Sequence, residues 1–241
     1  MSNSTLSDET RKKLLKVSTA SVATALYKRG LRSQFIQGVL PVAPKDQNMV
    51  GPAFTLRYIV AREDRNPITV FRDPNHPQRV AMETCPEGHV LVMEARKDAR
   101  ASTAGSILIT RLALRGAAGV VSDGGFRDME GIGKLDMPAY CANPSAPTNL
   151  TLHEATDINI PISCGDAPVF PGDILLGDKD GVMVIPAHLV NEIADECIEM
   201  ELFESFVLEE VKAGAKITGL YPCTEQNNQD KYQAWRQKNN F

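Results

Sequence analysis

The sequence lacks the patterns that mark several common classes of protein. No apolar run approaches the roughly 20 residues that a membrane-spanning helix needs. Its five cysteines are scattered, odd in number and never spaced as CxxC, so we expect reduced thiols and neither a disulfide framework nor a zinc site. A formal net charge of -4 argues against binding nucleic acid through a basic surface. Residues 1–5 show no charged-then-apolar signal pattern, and we expect a cytoplasmic protein.

What is present is the composition of an ordinary globular protein. Of the 241 residues, 43% are hydrophobic and 23% charged, which is enough to bury a sizeable core. Helical patterns at both ends enclose many short apolar runs, and no segment repeats. The order predicts one mixed α/β or α+β domain over residues 1–241, without the regular strand-helix alternation of a doubly wound sheet.

Helices are predicted in both terminal regions. In the N-terminal helical region, about residues 7–30, Ser7 begins one helix over 8–17, and Ser18 with Thr19 precedes a second over 20–28. Apolar residues at helical spacing predict a long helix over 187–213. The tail over 214–241 is polar with aromatic anchors at Tyr232 and Trp235, typical of either a short docking helix or a loose segment.

Between these helices the sequence predicts short strands and loops. Apolar runs predict strands at 51–60 and 89–95, an edge strand at 135–140, and a strand at 158–162. Turn residues over 177–181 join two apolar runs, 174–176 and 182–185, into a β-hairpin. The segments 62–78, with a possible strand at 68–71, and 143–149 are polar or rich in proline and are predicted as surface loops.

The stretch over residues 105–128 carries the chemistry. It begins with a helix start at Gly105 and Ser106, continues through the apolar pair Val120 and Val121, and reaches Arg127 and Asp128 after a predicted glycine turn. Free N–H groups at a helix N-terminus attract an anion. The arginine adds an anion clamp and the aspartate a metal ligand, so the stretch predicts a pocket for a small carboxylate and a divalent cation.

Each of these features also has a structural interpretation. An arginine beside an aspartate after a strand is commonly an exposed ion pair of little energetic value. A Gly-x-x-Leu helix start is more often structural than functional. His153 is interpreted as a structural or surface residue before a pocket residue, and Asp173, Asp178 and Asp180 as turn chemistry before a cation loop.

Taken in order, the motifs resemble the family of the regulator of ribonuclease activity A and the 4-hydroxy-4-methyl-2-oxoglutarate aldolases. The resemblance covers nearly the whole chain and is carried by Ser18-Thr19, Ala25-Leu26, Gly51-Pro52-Ala53, Gly105 to Leu108, Asp123-Gly124-Gly125-Phe126-Arg127-Asp128, Pro171-Gly172-Asp173 and Gly177 to Val182. Each motif alone is weak, whereas the ordered set is fairly specific for the superfamily.

The resemblance implies a compact α/β fold similar to the phosphohistidine swivelling domain. It implies a homotrimer or homohexamer with active sites at subunit interfaces. It implies a lyase that uses Mg²⁺ or Mn²⁺, with no organic cofactor and no Schiff-base lysine, to cleave a 4-hydroxy-2-oxo acid to pyruvate and a carbonyl product. Decarboxylation of oxaloacetate is implied as a second activity.

The site residues follow from the matching motifs. The resemblance implies that the backbone of Gly105, Ser106, Ile107 and Leu108 binds the carboxylate of the 2-oxo acid. It implies that Arg127 holds the pyruvyl oxygens, and that Asp128 ligates the metal. This agrees with the chemistry, because a metal ion and a guanidinium both stabilise the enolate that retro-aldol cleavage leaves on pyruvate.

The sequence departs from the family pattern at two positions. Many members have an acid where this chain has Ser106, and an aspartate where it has Thr24. Proton transfer is therefore expected to use Asp123, His153, or a glutamate of a neighbouring subunit such as Glu201 or Glu204. The alternatives are a non-enzymatic protein that binds and inhibits a ribonuclease complex, and a lyase acting on another 2-oxo acid such as a sugar acid.

Overall fold

Residues 6–241 are described here from a computed structural model. Residues 1–5, in which we find no signal pattern, lie outside this part of the chain. The strands are β1 (Leu40–Pro41), β2 (Met49–Val60), β3 (Val90–Glu94), β4 (Ser102–Ala104), β5 (Gly119–Phe126), β6 (Ala139–Pro144), β7 (His153–Ile158), β8 (Ile162–Cys164), β9 (Ala167–Val169), β10 (Ile174–Gly177) and β11 (Val182–Ile185). The α-helices are α1 (Asp8–Leu14), α2 (Thr19–Lys28), α3 (Pro77–Thr84), α4 (Ser106–Leu114), α5 (Met129–Gly133), α6 (Val190–Lys212) and α7 (Gln226–Lys238).

The centre of the fold is a parallel sheet. Strands β2, β3, β5 and β6 lie side by side in chain order, and α3, α4 and α5 connect them. Because the order advances in one direction and such crossovers are right-handed, the three helices share one face of the sheet. Ala81, Ile109 and Ile132 of these helices pack there against Leu91 and Val120 of the strands.

Other elements cover the rest of the sheet. The opposite face carries Val92 and Val121, which pack against the two-stranded sheet of β8 and β9. The antiparallel hairpin of β10 and β11 extends the sheet beyond β2. Helices α1, α2 and α6 pack on that hairpin through residues such as Leu26 and Ile193. The sheet therefore has parallel strands at its centre and an antiparallel hairpin beyond β2, and α1, α2 and α6 pack on that hairpin.

The structure confirms the predicted mixed α/β class, with helices at both ends. Ser18 accepts a hydrogen bond from the Ser21 N–H and caps α2, as its position before the helix predicts. The predicted hairpin and long C-terminal helix are both present. The tail forms α7, which docks through Tyr232 and Trp235 on Phe203 and Phe206 of α6. The docking-helix alternative is thereby confirmed.

Several local predictions are wrong, and most errors involve short elements. Residues 68–72 form a 3₁₀ helix where a strand is predicted, and α3 begins inside the predicted surface loop at Pro77. The predicted edge strand at 135–140 lies mainly before β6, which is flanked by β1 and β5. The strand predicted at 158–162 is replaced by β7 and β8. Elements of three to eight residues are too short to show a clear helical or strand periodicity in the sequence.

These short helices also correct the predicted chain organisation. With α3 and α5 present, strands and helices alternate through the centre of the chain from β2 to β6, except that β4 follows β3 directly. The helices stay on one face, so the sheet is not doubly wound. Within residues 6–241, no helix combines the length and apolar character needed to cross a membrane.

Candidate functional site

Strand pairing brings the two ends of the stretch over residues 105–128 together. β4 runs parallel to β5, with Ala104 beside Phe126, and the Arg127 N–H donates to the Ala104 carbonyl at 3.1 Å. Both strands end at this point, so Gly105 and the start of α4 lie beside Arg127 and Asp128. The carboxyl ends of parallel strands are the usual position of ligand sites in such sheets.

Gly124 and Gly125 have a role that differs from the predicted turn. Both lie within β5, which is buried along its whole length. A Cβ atom on Gly124 would lie 2.6 Å from the Ala95 Cβ, and one on Gly125 would lie 2.6 Å from the Ser145 Cβ. These glycines therefore allow neighbouring segments to approach β5 closely, and the strand continues through an irregularity in its pairing with β6 to Phe126, directly before Arg127.

The N-terminus of α4 lies beside the ends of β4 and β5, and some of its N–H groups have no hydrogen-bond partner within residues 6–241. Gly105 occupies the cap position without a side chain, and Ser106 donates from both its N–H and its hydroxyl to Asp128 Oδ2 at 3.2 Å. Ile107 and Leu108 are the next residues, and their N–H groups have no hydrogen-bond partner within residues 6–241. One donor of the predicted anion site is thus used by Asp128, and two remain.

Arg127 and Asp128 are both about half exposed. The distance from Arg127 Nε to Asp128 Oδ2 is 3.8 Å, which is too long for a hydrogen bond, so the guanidinium keeps its donors. Asp128 has a left-handed backbone with φ of 60°, a conformation that aspartate and asparagine adopt more readily than most residues. Its Oδ1 atom accepts no hydrogen bond from residues 6–241.

These groups line one cleft of about 220 Å³. That is smaller than the ~300–1,000 Å³ of typical drug-sized pockets and suits a small acid. Its walls are Phe71, Gln78, Arg79, Ser102, Ala104, Gly105, Ile107, Leu108, Arg127, Asp128, Thr148 and Asn149. The two segments predicted as surface loops, 62–78 and 143–149, both reach this cleft. Gln78 and Arg79 are absent from the predicted site, because no sequence motif marks the first turn of α3.

The residues present fit one kind of metal site. Within residues 6–241, no three or more histidine, cysteine, aspartate or glutamate side chains are grouped to hold a metal. The cleft offers the free Oδ1 of Asp128 as its one carboxylate ligand. A cation that keeps much of its water and takes oxygen ligands from the substrate fits this donor set, and Mg²⁺ behaves in this way. Mn²⁺ has similar ligand preferences.

The structure does not bring Asp123 to the cleft. Its side chain is 2% exposed and accepts hydrogen bonds from the N–H groups of Ala95, Lys97 and Gly165. Burial raises the pKa of this carboxyl group, while the three amides act in the opposite direction. Asp123 therefore joins β5 to two neighbouring loops, and its predicted part in catalysis has no support from this geometry.

The other candidate proton-transfer side chains also make their contacts away from the cleft. His153 is fully buried behind Tyr58, and burial together with the Arg96 guanidinium lowers its pKa. Glu201 accepts from the Ser18 N–H and the Ser21 hydroxyl, and so holds the start of α2. Glu204 accepts from the Tyr221 hydroxyl at 2.8 Å. None of these side chains lines the cleft of its own chain, and the contribution of a glutamate by a neighbouring subunit stays a prediction.

Comparison with known proteins identifies the class to which this arrangement belongs. The sequence model of the RraA-like family, described as Aldolase/RraA, matches residues 19–184. The chain belongs to the RraA-like family. The match contains every residue of the cleft and ends before α6 and α7.

Individual proteins match this chain at 26–35% sequence identity. A Halalkalibacterium halodurans protein named "Putative 4-hydroxy-4-methyl-2-oxoglutarate aldolase" is 35% identical over 151 residues, 61% of this chain and 64% of that protein. Protein DlpA of Legionella pneumophila is 27% identical over 85% of this chain and 32% of its own length. The chain thus spans less than two thirds of the length of these relatives. The crystal structure of Streptomyces coelicolor RraAS2, described as an unusual member of the RNase ES inhibitor RraA protein family, superposes with a TM-score of 0.72 and 26% identity, covering 83% of this chain and 96% of that one.

Proposed function

We propose that this protein is a divalent-metal-dependent carbon-carbon lyase that cleaves a 4-hydroxy-2-oxo acid to pyruvate and a carbonyl product. One observation carries the proposal: Arg127, Asp128 and the free N–H groups of α4 line a single small cleft. The aldolase name of the Halalkalibacterium relative supports it. Decarboxylation of oxaloacetate belongs to the same proposal, because it also produces pyruvate through its enolate.

Different residues of the cleft bind the substrate carboxylate, the 2-oxo oxygen and the metal ion. The N–H groups of Ile107 and Leu108 hold the substrate carboxylate, since they are unpaired donors at the positive end of a helix. Arg127 donates to the 2-oxo oxygen, where negative charge develops when the carbon-carbon bond breaks. Asp128 holds Mg²⁺ or Mn²⁺, which supplies Lewis-acid polarisation of the 2-oxo group when bound.

Proton transfer at the 4-hydroxyl is assigned to water. The titratable side chains that this chain places in the described cleft are Arg79, Arg127 and Asp128, and no lysine, histidine, cysteine or glutamate lines it. The proposed mechanism forms no Schiff base. The hydroxyl of Ser106, which stands where many relatives have an acid, donates to Asp128 and so orients that carboxylate. A trimer or hexamer with the cleft at a subunit interface, in the cytoplasm, completes the proposal.

The test is pyruvate release measured with a coupled dehydrogenase. Oxaloacetate and 4-hydroxy-4-methyl-2-oxoglutarate are supplied with Mg²⁺ or Mn²⁺, and then with EDTA. Asp128→Asn keeps the size of the side chain and tolerates the left-handed backbone, and it should lower kcat/KM on the order of 1,000-fold by removing the metal ligand. Glu130→Gln is the matched control, because Glu130 is an exposed carboxylate two residues away. Activity that persists in EDTA or in Asp128→Asn would contradict the proposal.

A second function has one observation in its favour. RraAS2 is described as a member of a ribonuclease-inhibitor family, and it matches this chain over most of both lengths. A protein that binds and inhibits a ribonuclease would not need the cleft. In that case Asp128→Asn would inhibit a ribonuclease complex as well as the wild type does, and neither protein would release pyruvate.

A further inference from the structure

The first turn of α3 contains a glutamine that has no part in the chemistry described so far. Gln78 is 1% exposed, although it lines the cleft. Its Nε2 atom donates to the Thr103 carbonyl at 2.7 Å and to the Tyr58 hydroxyl at 3.2 Å. Both N–H groups of the amide are therefore used within the protein, on residues of β4 and β2.

Tyr58 completes this arrangement from β2. It is 1% exposed, and its hydroxyl donates to the Thr103 carbonyl at 3.1 Å. Burial raises the pKa of Tyr58, so the hydroxyl keeps its proton and donates at neutral pH. The Thr103 carbonyl thus accepts from two buried side chains, one on α3 and one on β2. A carbonyl oxygen has two lone pairs, and both are used here.

The unpaired atom of Gln78 shows which contact determines the orientation of its amide. A carbonyl oxygen only accepts, so Nε2 faces Thr103, and Oε1 is left buried with no hydrogen-bond partner in residues 6–241. The reversed amide would place Oε1 against the Thr103 carbonyl oxygen, and two acceptors would then face each other. The bond to Thr103 therefore orients Gln78, even though Oε1 stays unpaired.

Thr103 is the middle residue of β4, the strand that leads into α4. β4 has three residues, pairs with β5 alone among the strands of residues 6–241, and is irregular in that pairing. Such a segment depends on side-chain contacts for its position. Two residues further on is Gly105, where a Cβ atom would lie 2.8 Å from both Arg127 Nε and Asp128 Oδ2. A shift of β4 would therefore move the start of α4 relative to this pair.

We propose that Gln78 is a positioning residue for the lyase reaction, which holds the Thr103 carbonyl and thereby fixes β4 and the N–H groups at the start of α4. Tyr58 supports the same carbonyl from β2. The inference rests on the proposed function, which places the substrate carboxylate on those N–H groups. Gln78 acts through β4 and touches no reacting atom.

The first experiment measures pyruvate release from oxaloacetate and 4-hydroxy-4-methyl-2-oxoglutarate with Mg²⁺ present. Gln78→Met removes the amide and keeps the length of the side chain. The N–H groups of α4 bind the carboxylate equally in the ground state and the transition state, so their displacement should raise KM and leave kcat within about threefold. We expect KM to rise about 10-fold, which corresponds to the net contribution of about one buried hydrogen bond.

The second experiment follows the same variant without reference to activity. Amide hydrogen exchange is measured by mass spectrometry on peptides that cover residues 103–109. Exchange there should be faster in Gln78→Met than in the wild type, because the variant loosens β4 and the first turn of α4. Peptides of α6 should exchange at the wild-type rate, which distinguishes a local effect from a general loss of stability.

Two further variants sharpen the test. Tyr58→Phe removes one hydroxyl and leaves the bond from Gln78 to Thr103, so it should raise KM by only about threefold. Gln34→Met is the matched control, because Gln34 is also buried, at 8% exposure, but lines a different depression beside α2. Its KM and its exchange over residues 103–109 should equal those of the wild type.

The outcomes separate this inference from the proposal beneath it. If Gln78→Met leaves KM or the exchange over residues 103–109 unchanged, or if Gln34→Met has an equal effect, the positioning role of Gln78 is wrong and the 2-oxo acid site stands. If the wild type releases no pyruvate from either substrate, the proposed function fails, and the role of Gln78 in the reaction fails with it.

Discussion

Replacing Gly105 by alanine would test whether the start of α4 and the Arg127–Asp128 pair work as one site. The backbone of Gly105 has φ of -127° and ψ of 178°, an extended conformation that alanine adopts without strain. The substitution therefore adds one methyl group and little else. That methyl group would point directly at the two residues on which the proposed chemistry depends.

The size of the effect follows from the distances. An alanine Cβ at this position would lie 2.8 Å from Arg127 Nε and 2.8 Å from Asp128 Oδ2, whereas ordinary contacts begin at 3.4 Å. Reaching an ordinary contact therefore requires a separation larger by 3.4 minus 2.8, or 0.6 Å, at each group. Since misplacing a reacting group by about 1 Å can cost on the order of 100-fold, we expect kcat/KM for pyruvate release to fall by about 10- to 100-fold.

Stability should change far less than activity. Alanine is a poorer helix cap than glycine, and the loss is expected to be no more than about 1 kcal/mol. For a chain of this size that shifts the midpoint of thermal unfolding by about 2–4 °C. The measurements are steady-state pyruvate release and a thermal melt of the same preparation.

Gly133→Ala is the matched control. It makes the same substitution at the end of α5, where the new Cβ would lie 3.4 Å from the Ala43 Cβ and touch neither Arg127 nor Asp128. Its activity should equal that of the wild type. Unchanged kcat/KM in Gly105→Ala, or an equal loss in Gly133→Ala, would refute the view that close contact with Gly105 positions the pair.

Two further predictions concern stability away from the cleft. Burial lowers the pKa of His153 in the folded protein, so its contribution to stability is present above the ordinary histidine pKa of about 6.5 and is lost as the pH falls below it; His153→Gln should flatten the fall in urea midpoint between pH 7.5 and 5.5, and an unchanged pH slope would contradict this. The chain has a single tryptophan, Trp235, whose ring lies 6.0 Å from Phe206, so Phe206→Ala should release α7 and shift the tryptophan emission to longer wavelength without altering pyruvate release. Emission that stays at the wild-type wavelength would mean that α7 docks by other contacts.

Sequence patterns were sufficient wherever neighbouring residues determine the structure. Ser18 caps α2, turn residues join β10 to β11, and the apolar spacing of α6 follows its buried face. The types and order of Arg127 and Asp128 alone predict an anion clamp and a metal ligand, and the structure places both residues at one cleft. Such signals are local, since caps, turns and helical faces depend on residues a few positions apart.

The parts that sequence reasoning missed depend on contacts between distant residues. The sequence predicts a turn at Gly124 and Gly125. Only the packing of Ala95 and Ser145 against β5 shows why no side chain fits at these two positions. Asp123 belongs to the same motif as Asp128, yet its carboxylate is taken by backbone amides from two separate loops. No local pattern distinguishes the two aspartates.

The class of fold, the family resemblance and the types of side chain available for a site all follow from the order of the residues. Which of these side chains lie together depends on the folded chain. The parallel register of β4 on β5 places Gly105 beside Asp128, 23 positions later in the chain, and α3 brings Arg79 to the same cleft. The reason is physical: strand register and helix packing are set by the burial of many apolar side chains at once, and that sum is not visible in any short stretch of sequence.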